Sequence, residues 1–136
     1  MSTLSVANLQ SLTTSTLPVV KNSAGTELGR FVKAWVNFNG STVTSATDMT
    51  GVRDSFNISS VVDNGTGEYT VNFQNAFADT NYCAVAGGSQ ELDSTARPDG
   101  VMVHTYTTTS VNLEGYGNLT GTAEADLQII NLIITN

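Results

Sequence analysis

The sequence feature that most constrains the fold is a pair of alternating segments joined by a short run of turn-forming residues. In residues 69–73 large apolar side chains occupy every second position, with Thr70 and Asn72 between them. A period of two predicts a half-buried β-strand. Residues 55–62 alternate in the same way, and residues 63–67 (DNGTG) supply side chains that tolerate positive φ. The sequence therefore predicts a β-hairpin with one face in a core.

Several other segments carry strand signals. Alternation or continuous apolar character marks residues 31–38, 82–89, 101–108 and 110–115, and residues 123–135 are apolar on both faces. Loops rich in Gly, Ser, Thr and Asn separate these segments. About seven short strands with turn signals between them predict an all-β fold, an antiparallel sandwich or barrel, and we favour the sandwich.

Composition excludes several classes of function. The 136-residue chain has a formal net charge of −7, and its five basic residues are scattered, so a nucleic-acid partner is not expected. No segment approaches the length of a membrane span, and no apolar leader is present, so we expect no membrane insertion. Cys83 is the single cysteine, which rules out a disulfide within the chain.

The chain divides into two parts by apolar content. Apolar side chains in residues 1–17 are too sparse for a core of their own. We therefore predict that residues 1–28 form an extended N-terminal arm that becomes ordered against a second subunit or a particle; a disordered terminus is the alternative. Residues 29–136 are predicted to form the β-sandwich domain.

An oligomer interface is predicted from apolar residues that one subunit does not cover. Trp35 lies on the more polar face of its strand, although packing by its own chain is the alternative. The last strand is apolar on both faces, which is simplest to explain if one face meets a symmetry mate. The predicted interface residues are Leu4, Val6, Leu9, Trp35, Ile130, Leu132 and Ile134.

Two polar loops, residues 90–100 and 116–121, are the candidate binding sites. Aromatic, amide and charged side chains suit sugar hydroxyls, with an aromatic ring stacking on the pyranose. The predicted ligand-binding residues are Asp93, Arg97, Asp99, Tyr116 and Asn118. Plain solvated loops are the alternative.

Metal and catalytic motifs are weak. Residues 63–68 (DNGTGE) lack the ligand spacing of a calcium loop and are predicted to be a turn. His104 is the only histidine and is predicted to be an ordinary strand residue rather than an axial metal ligand. No nucleophile motif is present, so we predict no enzyme activity, no cofactor and no metal.

Three segments resemble the distal domain of phage tail-fibre proteins, especially those of cyanophages and other marine phages. They are KAWVNFNG (residues 33–40), SFNISSVVDNGTGEYTVNF (residues 55–73) and FADTNY (residues 77–82). The resemblance implies a homotrimeric virion protein, assembled in the host cytoplasm, that contacts other virion proteins through its arm and adheres to a host glycan or protein. A capsid decoration or head-fibre protein is an alternative. An envelope polysaccharide hydrolase is a more distant one. Its catalytic pair would come from the carboxylates Asp79, Glu91, Asp93, Asp99, Glu114, Glu124 and Asp126.

Overall fold

The computed structural model describes residues 20–90, 99–117 and 123–135. These residues form antiparallel β-strands and one short 3-10 turn, and they contain no α-helix. The prediction of an all-β antiparallel fold is confirmed. The strands are β1 Val20–Lys21, β2 Glu27–Gly29, β3 Ala34–Phe38, β4 Val52–Phe56, β5 Ile58–Gly65, β6 Glu68–Phe73, β7 Cys83–Ser89, β8 Gly100–Tyr106, β9 Ser110–Tyr116 and β10 Ile129–Thr135. Within the described ranges, no helix is long and apolar enough to cross a membrane.

Two compact units divide the chain, one ending at Phe31 and the other beginning at Val32. In the first unit β1 and β2 form a hairpin. Its turn depends on Asn22, whose side-chain oxygen accepts hydrogen bonds from the backbone N–H groups of Ala24 and Thr26 at 3.0 and 2.9 Å. The greater part of the predicted arm, residues 1–19, lies outside the described residues.

The second unit contains two four-stranded antiparallel sheets. Sheet I has the order β4-β3-β10-β7, and sheet II has the order β5-β6-β9-β8. Their inner faces contribute to a single apolar core, in which Phe38 of sheet I meets Tyr69 of sheet II edge to face at 5.2 Å. Edge-to-face contact is a favoured arrangement of aromatic rings.

The predicted strand over residues 55–62 is interrupted at Asn57, where the chain passes from sheet I to sheet II. Asn57 has a φ of 59°, in the left-handed region that Asn tolerates better than most residues. Its amide donates to the carbonyl oxygens of Lys33 and Asn75 at 3.1 and 3.2 Å, and its side-chain oxygen accepts from the N–H of Asn75 at 2.8 Å. These bonds fix the corner. Because the chain changes sheet here, the predicted strand is divided between β4 and β5, which is one reason that the strands outnumber the seven or so expected.

The last strand, β10, is shorter than the predicted residues 123–135, and only one of its two faces is buried. Ile130, Leu132 and Ile134 are at most 1% exposed and pack in the core of their own chain. Their assignment to an oligomer interface is therefore wrong, because they have no surface left to offer a second subunit. The outward face of β10 is formed instead by alternate residues that include Asn131 and Ile133.

Candidate binding end and outer faces

Strand pairing brings the two predicted binding loops to one end of the second unit. Gly100, the first residue of β8, is the partner of Tyr116, the last residue of β9. Ser89, the last residue of β7, is likewise the partner of Ile129, the first residue of β10. The connections over residues 90–99 and 117–128 therefore leave from neighbouring strand ends. We call this end of the unit the loop end.

The start and finish of the second unit lie at the opposite end. Ala34 at the start of β3 is paired with Ile134 near the end of β10. Thr135 is paired with Cys83, the first residue of β7. The aromatic residues Phe73 and Tyr82 close the core at this end, with their ring centroids 5.9 Å apart.

Asp126 organises the described part of the loop end. One oxygen of its carboxylate accepts hydrogen bonds from the Tyr69 hydroxyl and from the N–H of Gly67, both at 2.8 Å. Its backbone carbonyl accepts from the Ser41 hydroxyl at 2.9 Å, and the next carbonyl, of Leu127, accepts from the N–H of Gly40 at 2.8 Å. These bonds fasten the segment before β10 to both sheets. Burial, together with the hydrogen bond to Asp126, raises the pKa of Tyr69 well above its ordinary value.

Gly40 lies so close to this cluster that no larger residue fits. A Cβ atom at Gly40 would collide with the Tyr69 hydroxyl and would lie 2.8 Å from the carbonyl oxygen of Leu127. Asp126 was one of the carboxylates considered for a hydrolase, and the structure shows it engaged in holding the backbone.

Asp99 is the first of the predicted ligand residues that the structure describes. One of its carboxylate oxygens accepts a hydrogen bond from the backbone N–H of Gln90 at 2.7 Å. The other oxygen, Oδ1, and the Gln90 side-chain oxygen are shielded from solvent and have no hydrogen-bond partner among the described residues. Both residues border the connection between β7 and β8. The predicted ligand residues Asp93, Arg97 and Asn118 lie outside the described residues.

Tyr116 is the second described ligand candidate, and it is adjacent to Asp99 through the pairing with Gly100. Its side chain lies on the same face of β9 as Glu114, two residues earlier. A hydrogen bond with the Glu114 carboxylate raises the pKa of Tyr116, and burial and the charges of Glu114 and Glu124 act in the same direction. The structure thus places Asp99 and Tyr116 at neighbouring strand ends, which the sequence could not establish.

The DNGTGE segment forms the hairpin turn between β5 and β6, as predicted. The Asp63 carboxylate accepts from the N–H of Gly65 at 2.9 Å, so it is used within the turn. Gly67 has a φ of 75°, and a Cβ there would lie 2.6 Å from the carbonyl oxygen of Gly115. The ring nitrogen Nδ1 of His104 is 3.0 Å from the hydroxyl of Thr105. The described ranges contain no group of three or more His, Cys, Asp or Glu side chains placed to hold a metal ion.

The outer face of sheet I carries four large apolar side chains side by side. Trp35 is the register partner of Phe56 on one side and of Ile133 on the other, and Ile133 is in turn the partner of Val85. Val85 is 65% exposed, Ile133 51% and Phe56 50%, whereas Trp35 is partly exposed. We call Phe56, Trp35, Ile133 and Val85 the apolar row. Sequence analysis identified only Trp35, because the other three belong to the row only through register.

The outer face of sheet II has the opposite character. In one row across its strands, Thr70 is the partner of Asn112, which is the partner of His104. The side chain of Asn64 donates to the Thr70 hydroxyl at 2.8 Å, and that hydroxyl donates to Asn112 at 3.2 Å. The next row has a similar bond from Asn72 to Ser60 at 3.0 Å. This face is polar: neutral side chains are hydrogen-bonded along these rows, and the carboxylates of Glu68 and Glu114 lie in the row beyond Thr70 and Asn112.

The second unit thus presents three distinct surfaces, namely the loop end, the apolar outer face of sheet I and the polar outer face of sheet II. Comparison with known proteins adds nothing to these features. No protein-family model, no curated protein and no solved structure matches the chain.

Proposed function

We propose that this chain is a structural protein of a phage virion, a homotrimeric β-sandwich that serves as a short fibre or fibre tip and adheres to the host surface. The observation that carries the proposal is the polarity of the second unit. The two candidate binding loops leave from one end, whereas the chain enters β3 and leaves β10 at the other. A protein that is anchored at one end and binds at the other requires this arrangement.

The chemistry of the loop end suits a glycan of the host surface. Tyr116 presents a phenol ring at this end, and the Asp99 carboxylate holds the backbone of Gln90 beside it. An aromatic ring can stack on the apolar side of a sugar, and a phenol hydroxyl can exchange hydrogen bonds with sugar hydroxyls. A protein receptor on the host would use the same groups. The segment before Val32 is proposed to contact other virion proteins.

Binding to an array of purified bacterial surface polysaccharides tests the proposal. We expect Tyr116→Ala to reduce binding about tenfold or more, because it removes the aromatic ring at the loop end. The matched control is Tyr106→Ala, at the last residue of β8. This site lies at the opposite end, and the variant should bind like the wild type. Equal losses at the two ends would contradict the proposal.

Two further measurements separate the alternatives. Immunogold labelling of intact particles should place the protein on the tail, whereas labelling of the head would support a capsid decoration protein. Release of reducing ends from the bound polysaccharide would support a hydrolase.

A further inference from the structure

We infer that the outer face of sheet I binds a second copy of this chain, with the apolar row at the centre of the contact. This inference deepens the proposed function, because it identifies the surface through which the proposed oligomer forms. The occupant is argued from the shape of the row, the charge of the face and the hydrogen bonds beside it.

The apolar row is too large and too continuous for an ordinary outer face. Single exposed apolar residues are normal on soluble proteins, but a contiguous apolar patch marks an interaction site. The row crosses all four strands of sheet I, about 14 Å from Phe56 to Val85 at the usual spacing between strands. It contains three of the most exposed large apolar side chains described, Phe56, Ile133 and Val85. Trp and Phe are also enriched at the centres of protein interfaces.

The order of side chains in the row makes it complementary to itself. The larger aromatic residues, Phe56 and Trp35, occupy one half, and the smaller aliphatic residues, Ile133 and Val85, occupy the other. In a two-fold pair, the aromatic half of each copy lies over the aliphatic half of its partner. In a closed three-fold ring, each copy offers its aromatic half to one neighbour and its aliphatic half to the other. A second copy therefore supplies the complementary shape.

Charge also favours a second copy at this face. Each chain carries a net charge of −7, so two copies repel one another over most of their surfaces. The strands of sheet I contain only two charged residues, Arg53 and Asp54, whose charges cancel. The strands of sheet II contain three carboxylates, Asp63, Glu68 and Glu114, and no Lys or Arg. Two copies approach with least repulsion through sheet I.

The polar groups beside the row are already paired within the chain. A stable interface buries about 800 Å² on each partner, so the row of residues next to the apolar one must be covered as well. In that row the Asn37 amide donates to Asn131 at 2.6 Å, and the Arg53 guanidinium donates to Asn37 at 3.2 Å. A second guanidinium nitrogen donates to the carbonyl oxygen of Gln128 at 2.7 Å. Because covering a paired polar group costs much less than covering an unpaired one, a partner can seal this row.

Sedimentation equilibrium over a wide concentration range tests the inference with the whole chain. We expect a mass above the 14.3 kDa of a monomer for the wild type. Val85→Asp and Ile133→Asp should each weaken association about tenfold or more, because they place a charge within the apolar row. Met102→Asp is the matched control, since Met102 is a large exposed residue on the outer face of sheet II, and like Val85 it belongs to an edge strand. This variant should associate like the wild type.

Salt provides a second measurement that needs no variant. Raising the sodium chloride concentration from about 0.05 to 0.5 M screens the repulsion between acidic copies, so wild-type association should strengthen. A contact held together by ion pairs would weaken instead, and that result would contradict the inference.

The outcomes distinguish this inference from the proposed function. A wild-type monomer at every concentration overturns the inference. An oligomer that Val85→Asp leaves unchanged also overturns it, but that result is still compatible with the proposed function, because the oligomer would then form through another surface. An oligomer that Val85→Asp dissociates supports the inference, even if the wild type binds no polysaccharide on the array and the proposed function fails. Val85 is 65% exposed on an edge strand, so this variant should fold, and its circular dichroism spectrum should match that of the wild type.

Discussion

Sheet I and sheet II have the same number of strands and share one core, but their outer faces differ in chemistry. Sheet II presents Thr70, Asn112 and other neutral polar groups that bond to one another along a row. The outer face of sheet I carries the apolar row instead, and the charges of Arg53 and Asp54 on its strands cancel. Sheet II shows that a polar outer face is sufficient for this fold. We therefore assign the apolar row to the proposed association rather than to the fold.

The largest expected effect is a difference in the free energy of unfolding between substitutions on the inner and outer faces of β10. Leu132→Ala should lower the free energy of unfolding by about 3 kcal/mol, because Leu132 is buried and its removal leaves a cavity. Ile133→Ala, at the next residue, should lower it by less than about 1 kcal/mol in the monomer, because Ile133 is half-exposed. Urea unfolding at a concentration where the protein is monomeric measures both. Equal losses would mean that Ile133 is covered within a single chain.

The next largest effect concerns the hydrogen bond from Tyr69, on the inner face of sheet II, to the Asp126 carboxylate. Tyr69→Phe keeps the ring and removes the hydroxyl that bonds to the Asp126 carboxylate. A buried hydrogen bond to a charged group contributes about 1.5–3 kcal/mol, so we expect a loss near 2 kcal/mol. Tyr106→Phe, at an exposed position of the same sheet, is the matched control and should change the free energy of unfolding by less than about 0.5 kcal/mol.

The same tyrosine makes stability depend on alkaline pH. The pKa of Tyr69 is raised in the folded protein, so its contribution to stability is fully present below the unfolded pKa of about 10. Above that pH the unfolded chain loses a proton that the folded chain keeps, and the free energy of unfolding falls by at most about 1.4 kcal/mol per pH unit for this group. Tyr69→Phe should make the decline shallower. An unchanged slope would show that Tyr69 does not cause it.

A smaller effect is expected on the outer face of sheet II. Asn112→Val removes an acceptor of the Thr70 hydroxyl, but Thr70 is only partly buried and can bond to water instead. Val also favours strands more than Asn does. The net change in the free energy of unfolding should stay below about 1 kcal/mol. A loss as large as that of Leu132→Ala would show that the polar rows are part of what holds the sheet together.

Alternation in the sequence predicts most of the strands, because each strand has one buried face. It fails at Asn57, where the alternation continues without a break and only the bonds to Lys33 and Asn75 reveal the corner. It also fails in β10, because apolar residues on both faces give no sign of which face is inward. The inward face is that of Leu132, and the outward face is that of Ile133.

The candidate surfaces depend on pairing between residues that are distant in sequence. The apolar row joins Phe56, on β4, to Ile133, on β10, through Trp35 between them. Asp99 and Tyr116 were predicted from composition as members of separate loops. Only the pairing of Gly100 with Tyr116 shows that these loops leave from neighbouring positions. Sequence patterns within one strand carry no information about such register.

The smallest expected effect is the change in the free energy of unfolding when one carboxylate is removed from either sheet. Glu68 and Glu114 are direct partners in sheet II, and like charges placed opposite one another destabilise a sheet by a few tenths of a kcal/mol. Glu114→Gln should therefore raise the free energy of unfolding by about 0.2–0.5 kcal/mol at low salt. The matched variant in sheet I, Asp54→Asn, should give no gain, because the charge removed there is balanced by that of Arg53 next to it. Urea unfolding at low salt measures both.

Two further measurements show whether this gain has the cause assigned to it. The gain from Glu114→Gln should disappear in about 0.5 M salt, since screening weakens exposed charge pairs. The pKa of the Tyr116 phenol should also fall towards its ordinary value, because the Glu114 carboxylate that raises it is gone. An NMR titration of the tyrosine ring protons follows that change directly. If the gain persists in salt while the Tyr116 pKa stays raised, the repulsion between carboxylates is not what distinguishes sheet II from sheet I.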